Sequence, residues 1–131
     1  MRKSWNKYFM DIATKVAERS TCDRASVGAV LVKENKIIGT GYNGSPHGEP
    51  HCSDIGHLMI EGHCKRTIHA EINAILQAKE DKEGSILYVT HYPCIECQKI
   101  IKQAGITKVF YKNSYGKIEN YFNLNIEKVE E

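Results

Sequence analysis

The chain has 131 residues, enough for one domain with a buried core and no disulfide staples. Apolar residues make up 41% and charged residues 26%, an ordinary globular balance, and no apolar run approaches the roughly 18 residues of a membrane span. Net charge is only +2 and the lysines are scattered, so the composition argues against a membrane protein and against a basic nucleic-acid-binding face.

The opening "MRKSWNKYFM" lacks the apolar core of a signal peptide, and a cytoplasmic location is the simplest expectation. Thiols stay reduced there. Five cysteines therefore point to metal or catalysis before disulfides, and an odd number cannot all pair within one chain.

Ser4 suits an N-cap, and Trp5, Phe9, Ile12, Ala13 and Val16 recur at helical spacing, so a first helix is expected to fade near Ser20. "VGAVLV" (27–32) reads as a buried strand. "KENK" reads as a turn and "KIIGTGY" (36–42) as the returning strand of a hairpin. "NGSPHGEP" (43–50) is loop, and a long connection continues to Arg66. Thr67 is the expected cap of a second helix with Ile68, Ile72, Ile75 and Leu76 as its apolar stripe. "SILYVT" (85–90) is a third strand. A third helix has Pro93 in its first turn and Gly105 as its stop. "KVFY" (108–111) is a fourth strand and "IEKV" (126–129) a short fifth. Strands joined by helices in the second half imply parallel pairing, and the whole reads as one α/β domain over residues 1–131.

Two motifs carry the chemistry. "HAE" (69–71) opens the second helix, and "PCIEC" (93–97) opens the third. Cys94 and Cys97 are three apart and project from one side of a first helical turn. With His69 they make three ligands of the kind Zn²⁺ prefers, leaving one coordination position for water. Helix N-termini favour the thiolates there. Taken singly, the cysteines leave a redox pair as an alternative, His69 reads as structural and Glu71 as a solvated helix residue. Residues two apart inside a helix diverge, so His69 and Glu71 converge only if the site lies off the helix end.

Together, H-x-E and P-C-x-x-C form the zinc-deaminase pattern. With "RSTCDRASVGAVLV", "GTGYNGSPHG", "RTIHAEINAIL", "LYVTHYPCIECQKIIKQAGI" and Tyr115, the chain resembles the cytidine deaminase superfamily, and within it the deoxycytidylate (dCMP) deaminases of bacterial late-competence operons. The resemblance runs from about Ser4 to Tyr115. It implies a three-layer α-β-α sandwich with a mixed five-stranded sheet, and zinc-dependent hydrolysis of dCMP to dUMP and ammonia. Glu71 would be the catalytic base and acid, and His69, Cys94 and Cys97 would hold the catalytic zinc. Asn43 would hold sugar and base, Arg24 and Arg66 the 5′-phosphate, and Tyr115 the edge of the base. It also implies a nucleotide as small-molecule partner, a homo-oligomer (a hexamer in many relatives), and allosteric dCTP and dTTP, with Mg²⁺ accompanying them.

Some such relatives carry a second, structural zinc. Here Cys22, Cys52, His57 and Cys64 would form a closed site, with His63 able to replace His57 or Cys64. A connection of more than twenty residues without an apolar stripe needs something to order it. The other reading of this stretch is reduced, buried cysteines and solvent-facing histidines. Two other functions also stay open: a deaminase of cytidine, guanine or tRNA adenosine, and a non-enzymatic zinc or redox protein.

Overall fold

Ser4 sets the first helix. Its Oγ accepts a hydrogen bond from the Lys7 amide at 3.1 Å, and α1 runs Trp5–Ala17. The computed structural model describes residues 2–20, 26–48, 59–60, 63–64, 67–114, 116 and 118–130. Phe9, Met10, Ala13 and Ala17 form the buried face of α1.

Strands β1 (Gly28–Lys33) and β2 (Lys36–Tyr42) make the expected hairpin. Its two turn residues, Glu34 and Asn35, both have positive φ (51° and 62°), the mirror-image turn whose twist matches that of the strands. A minimal hairpin follows, β3 (Met59–Ile60) against β4 (His63–Cys64), inside the connection expected to be loop. Then come α2 (Ala70–Gln77), β5 (Ile86–His91), α3 (Ile95–Gln103), β6 (Lys108–Asn113) and β7 (Ile126–Lys128).

The main sheet has the order β2-β1-β5-β6-β7. β1 is antiparallel to both neighbours, and β5, β6 and β7 are mutually parallel, which makes the sheet mixed. Side chains alternate across it with period two. Val30, Val32, Tyr88 and Phe110 face α1 and pack on Phe9, Met10 and Ala13. Ala29, Leu31, Leu87, Val89 and Val109 face the other way and pack on α2 and α3. The architecture is the three-layer α-β-α sandwich. No helix among the described residues is long and apolar enough to cross a membrane.

Two helix starts differ from expectation. His69, not Thr67, is the N-cap of α2, and Cys94 is the N-cap of α3, so Pro93 lies just before that helix rather than in its first turn. The buried face of α2 differs too. Ala70, Ala74, Ile75 and Ala78 are buried, while Leu76 is 70% exposed. The cause is the closeness of the strand beneath. A Cβ on Gly41 would fall 2.3 Å from the Ala70 carbonyl oxygen, and one on Gly39 2.3 Å from the Ala74 carbonyl oxygen. Backbone packs directly on backbone, and only alanines fit between. Asn73 and Gln77 add hydrogen bonds across the same contact, Asn73 Nδ2 to the Tyr42 carbonyl (2.9 Å) and the Thr40 amide to Gln77 Oε1 (2.6 Å). The second half of "KIIGTGY" therefore sets the depth of the helix that begins with His69.

Candidate active site

The site is built from two helix N-termini. His69 (φ −64°, ψ 149°) and Cys94 (φ −73°, ψ 171°) both have extended N-cap backbone, and Glu71 and Cys97 lie within the following first turns. An N-cap side chain and one three residues on lean toward the same helix end, so Cys94 and Cys97 converge. His69 lies outside its helix, so its ring and the Glu71 carboxyl reach the same space although they are only two residues apart. The convergence that the motif required is met in this way.

His69 Nδ1 lies 3.2 Å from Cys97 Sγ and 3.4 Å from Cys94 Sγ. All three ligand atoms fall within 4.8 Å of one another, and no other such group exists among the described residues. Tetrahedral zinc with ordinary Zn–S and Zn–N bonds would set N···S separations of about 3.5 Å, so the donors fit zinc in kind and spacing. His69 and Cys94 are exposed while Cys97 is buried, which leaves the solvent side of the cluster open.

The electrostatics favour a cation. Hydrogen bonding by the Cys97 thiol, against the cost of burial, holds Cys94 down to about 3. The same bond, with burial and the Glu71 charge, pushes Cys97 up. Such a thiolate–thiol pair shares one proton, and a divalent cation in its place would compensate both sulfurs. Glu71 is 5% exposed, and burial raises its carboxyl above the usual range. It stands within hydrogen-bond reach of Cys97 and feels the charges of His69 and Cys94. A buried acid with its pKa displaced upward beside an open ligand cluster has the environment of a proton-transfer group.

Asn43 is buried at the end of β2. Its Oδ1 accepts from the Val27 amide at 2.8 Å, and its own amide donates to the Val27 carbonyl at 3.3 Å. Thr90 Oγ1 accepts from the Gly28 amide at 3.1 Å and lies 2.8 Å from His91 Nδ1, tying β1 to the end of β5. Arg24, Arg66 and Tyr115 lie outside the described residues, as do Cys22, Cys52 and His57. Only the backbone of Cys64 and His63 is described, in β4. The sequence reading did not single out Gln98, Asn73 or Thr90. Their signal was only a polar residue at a position where helix or strand packing calls for an apolar one. An open cavity of about 530 Å³ is lined by Arg19, Tyr42, Ser45, His47, Asn73 and Gln77 among others, with none of the three ligand residues in its lining.

Residues 3–113 match the family described as the cytidine and deoxycytidylate deaminase zinc-binding region. ComE operon protein 2 of Bacillus subtilis is 55% identical over 117 residues, covering 87% of this chain and 62% of the relative. The deoxycytidylate deaminase of Saccharomyces cerevisiae is 40% identical over 134 residues, covering 95% of this chain and 42% of the relative. The chain thus spans less than two thirds of the length of either. Among solved structures, the dCMP deaminase of cyanophage S-TIM5 in complex with dCMP and dUMP superposes with a TM-score of 0.83 at 32% identity, covering 98% of this chain and 99% of that one.

Proposed function

The chain belongs to the cytidine and deoxycytidylate deaminase zinc-binding family, and from that premise we propose that it hydrolyses dCMP to dUMP and ammonia with the aid of zinc. The observation that carries the reading is the convergence of His69 Nδ1 with two thiols beside a buried carboxyl. A structural zinc site or a redox dithiol has no use for Glu71; a deaminase does.

His69, Cys94 and Cys97 hold the zinc, which when bound supplies a Lewis acid that acidifies water. Glu71 accepts a proton from the attacking water and delivers it to N3 of the pyrimidine as the C4–O bond forms. It then passes the remaining hydroxyl proton to the exocyclic nitrogen. The C4–N bond breaks, ammonia leaves, and the carboxylate is restored. Burial suits Glu71 to both roles, because it holds the carboxyl at the ligand cluster and shields its proton from bulk water between the two transfers. The N-termini of α2 and α3 stabilise the negative charge of the thiolates and of the reacting oxygen.

Asn43 orients sugar and base, Arg24 and Arg66 take the 5′-phosphate through paired guanidinium donors, and Tyr115 borders the base. Cys22, Cys52, His57 and Cys64 form a second, structural zinc site. Regulatory dCTP or dTTP with Mg²⁺ and a hexameric assembly complete the reading. The cavity beside "GYNG" supports a nucleotide-sized regulatory ligand by its volume and by the cationic Arg19, which stacks over Tyr42 at 5.9 Å.

An ammonia-release assay tests the reading over dCMP, CMP, deoxycytidine, dCTP, guanine and tRNA, with and without added dCTP. dCMP should be the preferred substrate. Deoxycytidine turned over as well as dCMP would remove the phosphate-binding role, and two zinc ions per chain are expected in the purified protein.

A further inference from the structure

Gln98 directly follows Cys97 and is 1% exposed. A buried amide must find protein partners, and this one spends itself on backbone groups of two separate segments. Its Nε2 donates to the Pro93 carbonyl at 3.0 Å and to the Glu119 carbonyl at 2.8 Å. Its Oε1 accepts from the Tyr121 amide at 2.9 Å. Its own backbone amide donates to the Cys94 carbonyl at 2.9 Å.

We propose that Gln98 is a positioning residue for the metal centre, its side chain clamping the Pro93–Cys94 peptide so that the two thiols meet His69. The inference rests on the reading of His69, Cys94 and Cys97 as zinc ligands. Cys94 is an N-cap: its carbonyl accepts the first bond of α3, from the Gln98 amide, while the Pro93–Cys94 peptide before it lies outside the helix. The Pro93–Cys94 peptide is planar, so fixing its carbonyl fixes the plane from which the Cys94 side chain departs. The Gln98 side chain grips that carbonyl, whereas the next one accepts the ordinary helical bond from the Gln98 amide, which Gln98→Met and Gln98→Ala both retain. Its remaining two hydrogen bonds brace this corner against residues 119–121, a segment that Asn120 folds on itself through bonds to the Leu124 amide (2.9 Å) and carbonyl. Partners that orient a ligand without touching the metal are worth about 10- to 100-fold in metal affinity when removed.

The test compares zinc affinity in wild type, Gln98→Met and Gln98→Ala. Methionine keeps length and volume without the donors, and alanine keeps helix propensity. Zinc-buffered equilibrium dialysis gives occupancy, and the free zinc needed for half-maximal dCMP turnover assigns it to the catalytic site. Both variants should bind zinc about 10- to 100-fold more weakly at temperatures where they remain folded. Phe9→Leu, in the opposite core layer, should lower the melting temperature and leave zinc affinity within twofold. A purely structural Gln98 would behave like Phe9→Leu, and zinc affinity within twofold of wild type in the two Gln98 variants would overturn the proposal. If neither variant folds, wild type decides through reciprocity. Zinc binding must tighten the clamp as much as the clamp tightens zinc, so hydrogen exchange of the Tyr121 amide should slow on zinc loading; an unchanged rate would overturn it. Wild type that binds zinc without deaminating dCMP would refute the reaction and leave the dialysis comparison to judge Gln98.

Discussion

Gly41→Ala perturbs catalysis from the sheet side, without touching any ligand. The added methyl would fall 2.3 Å from the Ala70 carbonyl oxygen and 2.4 Å from the Ala74 amide nitrogen, whereas real Cβ atoms essentially never come closer than 3.0 Å. Both obstacles are backbone, so no side chain can swing aside. α2 must lift from β2 by about 0.7 Å or more, and overpacking of this kind costs about 1–3 kcal/mol. In a chain of this size that lowers the melting temperature by a few to about ten degrees. Ala70 lies between His69 and Glu71, so the same lift moves a metal ligand and the proton-transfer group together. A misplacement approaching 1 Å is worth on the order of 100-fold in rate. Turnover of dCMP at saturating zinc, with thermal melts of the same samples, reads both effects. Gly84→Ala is the control. Its φ is +80° with nothing within 4 Å, so it costs about 1 kcal/mol of backbone strain and leaves turnover unchanged. Gly41→Ala with turnover within about threefold of wild type and an unshifted melt would refute the claim that β2 sets the depth of the catalytic helix.

The site and the layers set further outcomes. Glu71→Gln should retain zinc and lose turnover by orders of magnitude, and burial raises the Glu71 carboxyl above its ordinary value in the metal-free protein. Because the folded protein holds that proton more tightly than the unfolded chain, stability without metal should fall as pH rises from about 4.5 through the raised value. Glu71→Gln should abolish that fall in denaturation series. Zinc uptake near neutral pH should release at least one proton, that of the raised Cys97 thiol, so affinity should weaken about tenfold per pH unit on acidification; calorimetry in buffers of different ionisation enthalpy checks it. Tyr88→Phe removes the 2.7 Å bond from Tyr88 to Asn6 on the α1 side, so denaturant titration should show a loss of about 1 kcal/mol with zinc affinity and turnover unchanged.

The elements with strong periodicity were legible before the structure: α1 from its Ser4 cap, the β1–β2 hairpin, and the parallel strands β5, β6 and β7. The ligand motifs were legible because His-x-Glu and Pro-Cys-x-x-Cys are rare together. Their geometry was less so. His69 and Glu71 looked incompatible on one helix until His69 proved to be the cap. Of the expected α2 stripe, Ile75 is buried and Ile72 packs on the core, but Leu76 faces solvent, and the closest contact is made by alanines because the glycines of β2 leave room for nothing larger. That constraint belongs to the partner strand and cannot be seen in the helix alone. The antiparallel placement of β1 beside β5 depends on contacts distant in sequence, and the two-residue strands β3 and β4 are too short for any periodicity to show. Gln98 carried no motif, and its three side-chain bonds reach backbone on both sides of it in the chain.

The most direct measurement is conversion of dCMP to dUMP and ammonia by zinc-loaded wild type beside Glu71→Gln with its zinc content verified. The account predicts stoichiometric dUMP and ammonia from wild type, suppression by a zinc chelator with recovery on zinc return, and no measurable product from the variant. Wild type without dUMP, or Glu71→Gln turning over at the wild-type rate, would contradict it.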